Sequence, residues 1–162
     1  MTFDKAAAGR ELRESWDGIK RLVDSLPERE MTEAPVIEGW TVKDLLGHMA
    51  FWAEKAASDL KLLAEGRTSE IETPGDEQGL NAWNARESER RKTISLAQVR
   101  EEWVGSHEAA AAAFEALPAD KLDINVKGWT TAHRFAEDTY KHYDEHAEQI
   151  RAWQRQLETT EA

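Results

Sequence analysis

Apolar residues recur along the first part of the chain with the spacing of one helix face. The separations between them are four, three, four and three positions, and the residues are Leu12, Trp16, Ile19, Val23 and Leu26. This spacing puts all of them on the same side of an α-helix. We predict a helix from Thr2 to Leu26 that ends at Pro27, because proline restricts the residue before it and has no amide hydrogen to donate.

A second helix has a clear starting signal at Thr41-Val42-Lys43-Asp44. Threonine followed by an acid three residues later is a capping-box pattern, in which the hydroxyl accepts from a free amide and the carboxylate lies near the positive helix end. Trp40 precedes the cap and can pack on Leu45. Gly66 marks the end of the helix. Its apolar stripe consists of Val42, Leu45, Met49, Trp52, Ala56, Leu60 and Leu63.

The middle of the chain reads as a loop, a short helix and another long helix. Residues 66–79 are polar and rich in turn-forming residues, and a short helix from Leu80 to Arg91 follows them. Ser95-Leu96-Ala97-Gln98 is a second capping box. The long helix that it starts is predicted to end before Pro118.

The triplet Gly-Trp-Thr occurs twice, ending at Thr41 and at Thr130, each time directly before a helix. The last helix begins near Thr130 or Thr131, and we expect both helices to enter the core through similar turns anchored by tryptophan. No strand pattern of any strength is present. Four long helices joined by loops of moderate length predict an all-α four-helix bundle, as one domain over residues 1–162.

The composition narrows the classes of protein to which the chain can belong. Its formal net charge of −11 repels phosphate backbones and anionic membrane surfaces, so we expect neither nucleic acid nor membrane as a partner. The absence of cysteine excludes disulfides, iron–sulfur clusters, thiolate zinc sites and a cysteine nucleophile. Met1 to Lys5 lacks an apolar signal region and no run of about 18 apolar residues occurs, so we expect a cytoplasmic protein.

Three of the five histidines lie on or beside the apolar face of a predicted helix. His142 and His146 are one turn apart in the last helix, so both imidazoles lie on the same side. His48 borders the stripe of the second helix. A third imidazole from a facing helix would complete a three-nitrogen site for a divalent metal, with one position open for water or substrate. The alternative is that these histidines are core residues with satisfied hydrogen bonds.

The segment His142-Tyr143-Asp144-Glu145-His146 also matches the H-x-x-E-H pattern of certain metallopeptidases. We reject a peptidase, because that class needs a further ligand well downstream and only sixteen residues follow His146. Glu145 is a candidate base, although a solvent-exposed helix carboxylate is the simpler interpretation. Asp44, one turn before His48, either accepts from the other ring nitrogen of that imidazole or serves only the cap.

Three further side chains are candidates for roles in the same site. His107 and His133 are candidates for a fourth ligand, but we interpret both as having no role in metal binding. Trp83 lies between two asparagines in the short helix after the longest loop. It is placed either to cover the open side of a metal pocket or simply to pack.

The residues Gly39 to His48, Gly-Trp-Thr-Val-Lys-Asp-Leu-Leu-Gly-His, resemble the second-helix signature of the DinB-like superfamily of metal-binding four-helix bundles. The segment from His142 to His146 resembles the H-x-x-x-H of the last helix in that superfamily. The two motifs occur in the expected order, and the resemblance covers essentially the whole chain. It implies a divalent metal, typically zinc or nickel, held by His48, His142 and His146, and it implies a homodimer.

The same resemblance offers two branches for the activity. One branch contains thiol-dependent transferases and isomerases that use mycothiol or bacillithiol. The other is the ClbS/DfsB type, which is linked to resistance against a reactive genotoxin. The segment Asn81–Asn84 and the tryptophan-anchored helix ends resemble the second branch more closely. The superfamily name does not imply DNA binding.

We therefore expect a metal-dependent enzyme that acts on a small electrophilic molecule by hydrolysis or by thiol transfer. A low-molecular-weight thiol is a candidate cofactor. The alternative is a non-catalytic protein that binds a metal or sequesters a small molecule in stress resistance. An open coordination position beside a pocket favours the enzyme, and four protein ligands or no accessible cavity favours sequestration. In a third interpretation, the chain is a structural bundle without a metal.

Overall fold

Four long helices form the frame of the molecule. The computed structural model describes residues 3–161. The long helices are α1 (Lys5–Asp24), α3 (Val42–Ala64), α5 (Leu96–Ala116) and α7 (Tyr140–Glu161). The shorter helices are α2 (Glu28–Glu33), α4 (Glu77–Arg91) and α6 (Thr131–Asp138). Helix α3 packs along α5 and α1 packs along α7. The predicted all-α bundle is therefore confirmed.

The predicted apolar stripes form the core of the bundle. Four residues of the first stripe are buried and the fifth, Trp16, packs against them. All seven residues of the second stripe are buried. Trp103 and Tyr143 are the largest fully buried side chains. Removing this apolar surface from water is the main term that stabilises the fold. None of the helices within residues 3–161 is long and apolar enough to cross a membrane.

The two Gly-Trp-Thr triplets lie in two small β-hairpins, although no strand pattern is present in the sequence there. The strands are β1 (Pro35–Ile37) with β2 (Trp40–Thr41), and β3 (Asn125–Val126) with β4 (Trp129–Thr130). In both hairpins the two turn residues have positive φ: 51° and 82° at Glu38 and Gly39, and 51° and 93° at Lys127 and Gly128. This is the type I′ pattern that matches the twist of short hairpins.

A threonine at the end of each hairpin caps the helix that follows. The Thr41 hydroxyl accepts from the amide of Asp44 at 3.2 Å, and the Thr130 hydroxyl accepts from the amide of His133 at 3.1 Å. The expectation of similar turns is confirmed, but the expected tryptophan anchor is found only at Trp40, which packs against the core, because Trp129 is 47% exposed. The strands were missed because each has only two or three residues and because glutamate and lysine are not typical residues of such turns.

Several helix boundaries differ from the prediction. Helix α1 begins at Lys5 behind the cap Asp4, and the predicted start at Thr2 lies outside the described residues. Helix α2 lies between Pro27 and the Thr41 cap, where the sequence predicts no helix. Helix α4 begins at Glu77 rather than Leu80, because the Asp76 carboxylate caps it. The predicted stop of α3 is confirmed, since Gly66 follows its last turn with a φ of 74°.

The predicted last helix is broken at Thr139 into α6 and α7. Thr139 has φ −125° and ψ −97°, outside the helical region. Its hydroxyl donates to the carbonyl of Phe135 at 2.6 Å, one turn earlier. Such a bond competes with the helix hydrogen bonds and bends helices. The break makes Asp138 the last residue of α6 and puts His142 in the first turn of α7.

Replacing Gly47 by alanine should destabilise the fold. A Cβ at this position of α3 would lie 2.6 Å from Cδ of Arg91, which is 5% exposed and bonded to Glu102 at 2.8 Å. We expect Gly47→Ala to lower the free energy of unfolding by about 1–3 kcal/mol, the usual cost of overpacking. Gly18→Ala is the matched control, because no atom lies within 4 Å of its Cβ position in α1. The control should gain up to about 1 kcal/mol from helix propensity. Urea unfolding measures both, and a stabilised Gly47→Ala protein would contradict the packing.

The stability should also depend on pH through a buried histidine in the core. The ring of His107 stacks on Trp16 with centroids 4.0 Å apart, and its Nδ1 lies 3.1 Å from the Tyr143 hydroxyl. Burial lowers the pKa of His107 to about 4, while the nearby Asp17 charge opposes the shift. Because this pKa lies below the unfolded value of about 6.5, stability from His107 is complete above pH 6.5 and is lost as the pH falls towards 4.

His107→Gln removes this titration and keeps a hydrogen-bonding group next to Tyr143. We expect the variant to lose less stability than the wild type between about pH 7 and pH 4.5, measured by urea unfolding at each pH. His133→Gln, at an exposed histidine, should behave like the wild type. Equal losses in all three proteins would show that His107 is not the responsible group.

Candidate metal centre

The three histidines predicted from the sequence come together between α3 and α7. One nitrogen from each lies within 4.8 Å of the other two. The ring centroid of His48 is 4.7 Å from that of His142 and 5.2 Å from that of His146, and the last two are 4.5 Å apart. Within residues 3–161 this is the one group of three or more metal-ligating side chains that converges so closely. Three imidazoles with one open position are a common set in catalytic zinc sites.

The hydrogen bonds of His146 show which of its two ring nitrogens carries the proton and which carries the lone pair. Its Nδ1 lies 2.7 Å from Oε1 of Gln149, and because an amide oxygen only accepts, Nδ1 carries the proton. Its Nε2 then has a lone pair available, and this atom lies 2.8 Å from Nε2 of His142. Gln149 thus fixes the tautomer of a candidate ligand, as partners of metal-binding imidazoles commonly do.

His142 has the fewest partners of the three. It is 9% exposed, and within the described part of the chain its buried Nδ1 has no hydrogen-bond partner. Its Nε2 meets another imidazole nitrogen. A buried polar group without a partner costs about 1–3 kcal/mol, so the interpretation of these residues as satisfied core histidines is disfavoured. A divalent cation would replace the contact between the two Nε2 atoms of His142 and His146 with a bond to each nitrogen, and the donor set therefore fits the metal that the resemblance implies.

Burial keeps the three imidazoles neutral. It lowers the pKa of His48 to about 3, with smaller effects of the neighbouring His146 and Arg91 charges. Burial also lowers the pKa of His142 far below its ordinary value, and it lowers that of His146 although the Gln149 bond opposes the shift. Neutral imidazole is the form that binds metals, so protons do not compete for these nitrogens at neutral pH.

Neighbouring elements hold His48 in place. The indole ring of Trp40, in the first hairpin, meets the His48 ring edge-on with centroids 4.9 Å apart. The preceding residue, Gly47, leaves space for the buried side chain of Arg91 from the end of α4. Arg91 is bonded to Glu87 of its own helix and to Glu102 of α5. The position of His48 therefore depends on the packing of three helices and a hairpin.

A cavity of about 410 Å³ opens beside His48 and His142. This volume lies within the range of small-molecule sites, about 300–1,000 Å³. The open side of the histidine group therefore faces a space of ligand size. The other lining residues are Trp52, Lys55, Asp59, Glu72, Thr73, Pro74, Gly75, Asp76, Glu77, Leu80, Asn84, Lys127, Trp129, Arg134, Glu137 and Asp138.

Helix α4 supplies one wall of this cavity, in the place where the sequence suggested a cover. Asn84 lines the cavity, and its side-chain oxygen accepts from Nε1 of Trp52 at 2.9 Å. Trp83 instead stacks on Trp52, with ring centroids 6.1 Å apart and planes at 23°. Trp83 therefore packs the helix against α3, and the asparagine beside it faces the ligand space.

The remaining candidates from the sequence lie outside the histidine group. The Asp44 carboxylate accepts from the amide and hydroxyl of Thr41, so it serves the cap. Glu145 is exposed on α7 and is not among the residues that line the cavity, so its role as a base remains a prediction without geometric support. His107 packs in the core and His133 is exposed, which agrees with interpreting neither as a ligand.

Sequence reasoning missed the charged wall of the cavity. Asp59 lies eleven residues after His48 on α3, which is three helical turns and about 16 Å further along the same face. Asp138 precedes His142 by four residues. Helical periodicity could have placed Asp59 on the same face of α3 as His48, and it would have placed Asp138 on the face of His142 if the last helix were unbroken. Neither was singled out, because acidic residues are frequent in this chain and mark no pattern by themselves.

The comparisons with known proteins identify the family of the chain. Residues 12–147 match the family described as the mycothiol maleylpyruvate isomerase N-terminal domain. The chain belongs to this family. The mycothiol maleylpyruvate isomerase N-terminal domain family is a member of the DinB-like superfamily, so the predicted superfamily is confirmed. The family description names mycothiol, and the closer resemblance to the ClbS/DfsB type stays a prediction.

Solved structures show the same fold. An uncharacterised protein from Escherichia coli UTI89 has a TM-score of 0.83 and 14% sequence identity, over 95% of this chain and 94% of that chain. A protein from Streptococcus pneumoniae has a TM-score of 0.77 and 14% identity, over 96% of this chain and 93% of that chain. No curated protein sequence matches the chain. At such identities, the likeness supports the fold alone.

Gln149 gives a test of the histidine group that leaves every ligand in place. Removing a partner of a metal-binding imidazole typically weakens metal binding about 10–100-fold. We expect that loss of zinc affinity in Gln149→Ala, measured by competition with a chromophoric chelator. Gln156→Ala, at an exposed glutamine later in α7, is the control and should match the wild type. Unchanged affinity in Gln149→Ala would show that its bond to His146 is unrelated to metal binding.

Proposed function

We propose that the protein is a metal-dependent enzyme that uses a low-molecular-weight thiol to transform a small electrophilic molecule. His48, His142 and His146 would hold the metal, with zinc or nickel as the expected ion. The observation that carries the proposal is the opening of this three-nitrogen group into a cavity of about 410 Å³. A divalent ion there supplies Lewis acidity, which lowers the pKa of a bound acid or polarises a bond.

The family supports the thiol part of the proposal. The name of the family contains mycothiol and an isomerase of maleylpyruvate, which is a small electrophile. Thiol transfer and thiol-dependent isomerisation both begin with a thiol near an electrophilic carbon, and one cavity next to one metal can serve either. Hydrolysis of a small electrophile remains the second reaction class under the same proposal. The substrate is a small molecule, and we further propose a cytoplasmic homodimer.

The chain contributes binding and orientation to such a reaction. Trp129 is 47% exposed and forms part of the cavity wall, where its ring can contact an apolar part of a ligand. Lys55, Lys127 and Arg134 give the same wall positive charges, and Asp59 and Asp138 give it negative ones. A ligand with one end at the histidines would therefore meet a polar, mixed-charge surface at the other end.

The cavity also favours an enzyme over a protein that only stores a metal. A closed set of four protein ligands would have favoured storage of a metal. Within the described residues the group contains three histidines, and two of them line the cavity. An open position beside a space of ligand size favours catalysis.

The proposal is tested with purified protein loaded with zinc or nickel, with mycothiol as the thiol and maleylpyruvate as the first electrophile. We expect conversion that needs both metal and thiol, followed by ultraviolet absorbance. His142→Ala should lower the rate at least about 100-fold, because losing Lewis-acid stabilisation costs several kcal/mol. His133→Gln is the control.

Two results would contradict the proposal in different ways. Metal bound at one equivalent without conversion of any electrophile in a thiol screen would favour sequestration. Failure of the wild type to bind metal at all would remove the metal centre and leave a structural bundle.

A further inference from the structure

Asp138 occupies an unusual position next to the histidine group. It is the last residue of α6, directly before the break at Thr139 and four residues before His142. Its side chain lines the same cavity as His48 and His142. It is half-buried, and it also lines a second, much smaller pocket together with Asp59 and Arg134. A ligand that fills the cavity next to the histidines would therefore meet this carboxyl group.

The cations around Asp138 are engaged elsewhere. Lys55 pairs with Oδ1 of Asp59 at 2.5 Å, Lys127 donates to the carbonyl of Ile71 at 2.7 Å, and Arg134 donates to the carbonyl of Val126 at 2.7 Å. Among the hydrogen bonds and ion pairs of residues 3–161, none involves the Asp138 carboxyl. An acid this deep in a protein ordinarily has a partner, so the missing partner distinguishes Asp138 from a structural carboxylate.

The surroundings of Asp138 disfavour its negative charge. Asp59, which is 7% exposed and whose buried Oδ2 has no partner among the described residues, adds a second acid to the same wall. Burial, followed by the charge of Asp59, raises the pKa of Asp138 to about 8, against the opposing charges of Lys55 and Arg134.

Asp138 is thus a partly buried carboxyl group that has no hydrogen-bond partner and lies beside a second acid. Residues in such unfavourable surroundings are commonly functional. We propose that Asp138 is a catalytic residue whose carboxyl group exchanges a proton with the ligand bound beside the three histidines. This inference rests on the proposed function for the identity of that ligand, and it adds the acid–base group that the histidines cannot supply while they hold a metal.

The step is a simple proton transfer. When a thiol or hydroxyl ligand enters, its S–H or O–H bond breaks and an O–H bond forms on the Asp138 carboxylate, so that the proton stays in the cavity. The reverse transfer returns the proton to the product, and no further reactant is needed. The charged or titratable groups that face Asp138 are Lys55 and Asp59 from α3, Glu72 from the loop, Lys127 from the hairpin, Arg134 and Glu137 from α6, and His142 from α7.

Proton counting by calorimetry tests this transfer without any catalytic turnover. Zinc-loaded protein is titrated with 2-mercaptoethanol in buffers of different ionisation enthalpy, which gives the protons released per thiol bound. Near pH 9 the wild type should release about one proton fewer than Asp138→Asn, because the Asp138 carboxylate takes up the proton of the thiol. Near pH 6 the two should release the same number, since Asp138 is then already protonated.

Asp120→Asn provides the matched control, because Asp120 is exposed on the short 3-10 helix Ala119–Asp123. It should release as many protons as the wild type at both pH values. Equal proton release by the wild type and Asp138→Asn near pH 9 would overturn the inference.

A second measurement separates failure of this inference from failure of the metal centre. Carbon-13 NMR of metal-free protein labelled at the aspartate carboxyl carbons follows each titration directly. Burial raises the pKa of Asp59 as well, so the resonance of Asp138 is identified as the raised one that is missing in Asp138→Asn. We expect its midpoint to lie far above the ordinary value of about 4. An ordinary midpoint for Asp138 would overturn the inference even if zinc and thiol bind. A raised midpoint would support it even if the thiol does not bind.

Discussion

Three imidazole rings share one buried space between α3 and α7, and the protein supplies few hydrogen-bond partners for them. His146 has Gln149, whereas His142 has no partner for Nδ1 and meets another imidazole at Nε2. Burial removes their positive charge, so the rings cannot be stabilised as cations. The cost of these unpaired nitrogens must be offset by the packing around them and by whatever they bind.

The rest of the fold keeps these rings close together. The first hairpin and the Thr41 cap begin α3 seven residues before His48, and Trp40 contacts the His48 ring. The second hairpin and the Thr130 cap begin α6 in the same way. The break at Thr139 then separates α6 from α7, so that Asp138 and His142 belong to different helices yet line one cavity. Lys127 and Trp129 of the second hairpin line the ligand space, whereas the first hairpin acts on the site through Trp40.

Sequence periodicity was sufficient for the helices and for the histidines, because both depend on which residues share a helix face. The capping boxes at Thr41 and Ser95 were predicted and are observed. The hairpins and the break at Thr139 were not predicted. Two-residue strands have no measurable alternation, and the break results from one side-chain hydrogen bond rather than from proline or glycine.

The charged residues of the cavity wall could not be predicted from the pattern of any single helix. Asp59 and Asp138 lie on different helices, and the arrangement of α3 against α6 brings them into one cavity with Lys55 and Arg134. The helix faces predicted the ligands because His142 and His146 lie in the apolar stripe of one helix and His48 borders the stripe of another. The two acids are marked as candidate functional residues by their burial and by the absence of hydrogen-bond partners at Asp138 and at Oδ2 of Asp59. Both properties depend on how the helices pack and cannot be read from a single helix face.

X-ray absorption spectroscopy at the metal edge of the zinc-loaded protein tests the central claim most directly, because it reports the atoms around the ion. The arrangement of His48, His142 and His146 predicts three imidazole nitrogens at about 2.0–2.1 Å and one further light atom. In His142→Ala, the number of imidazole nitrogens bound to zinc should fall from three to two. A shell made of oxygen alone, or a spectrum that His142→Ala leaves unchanged, would contradict the account.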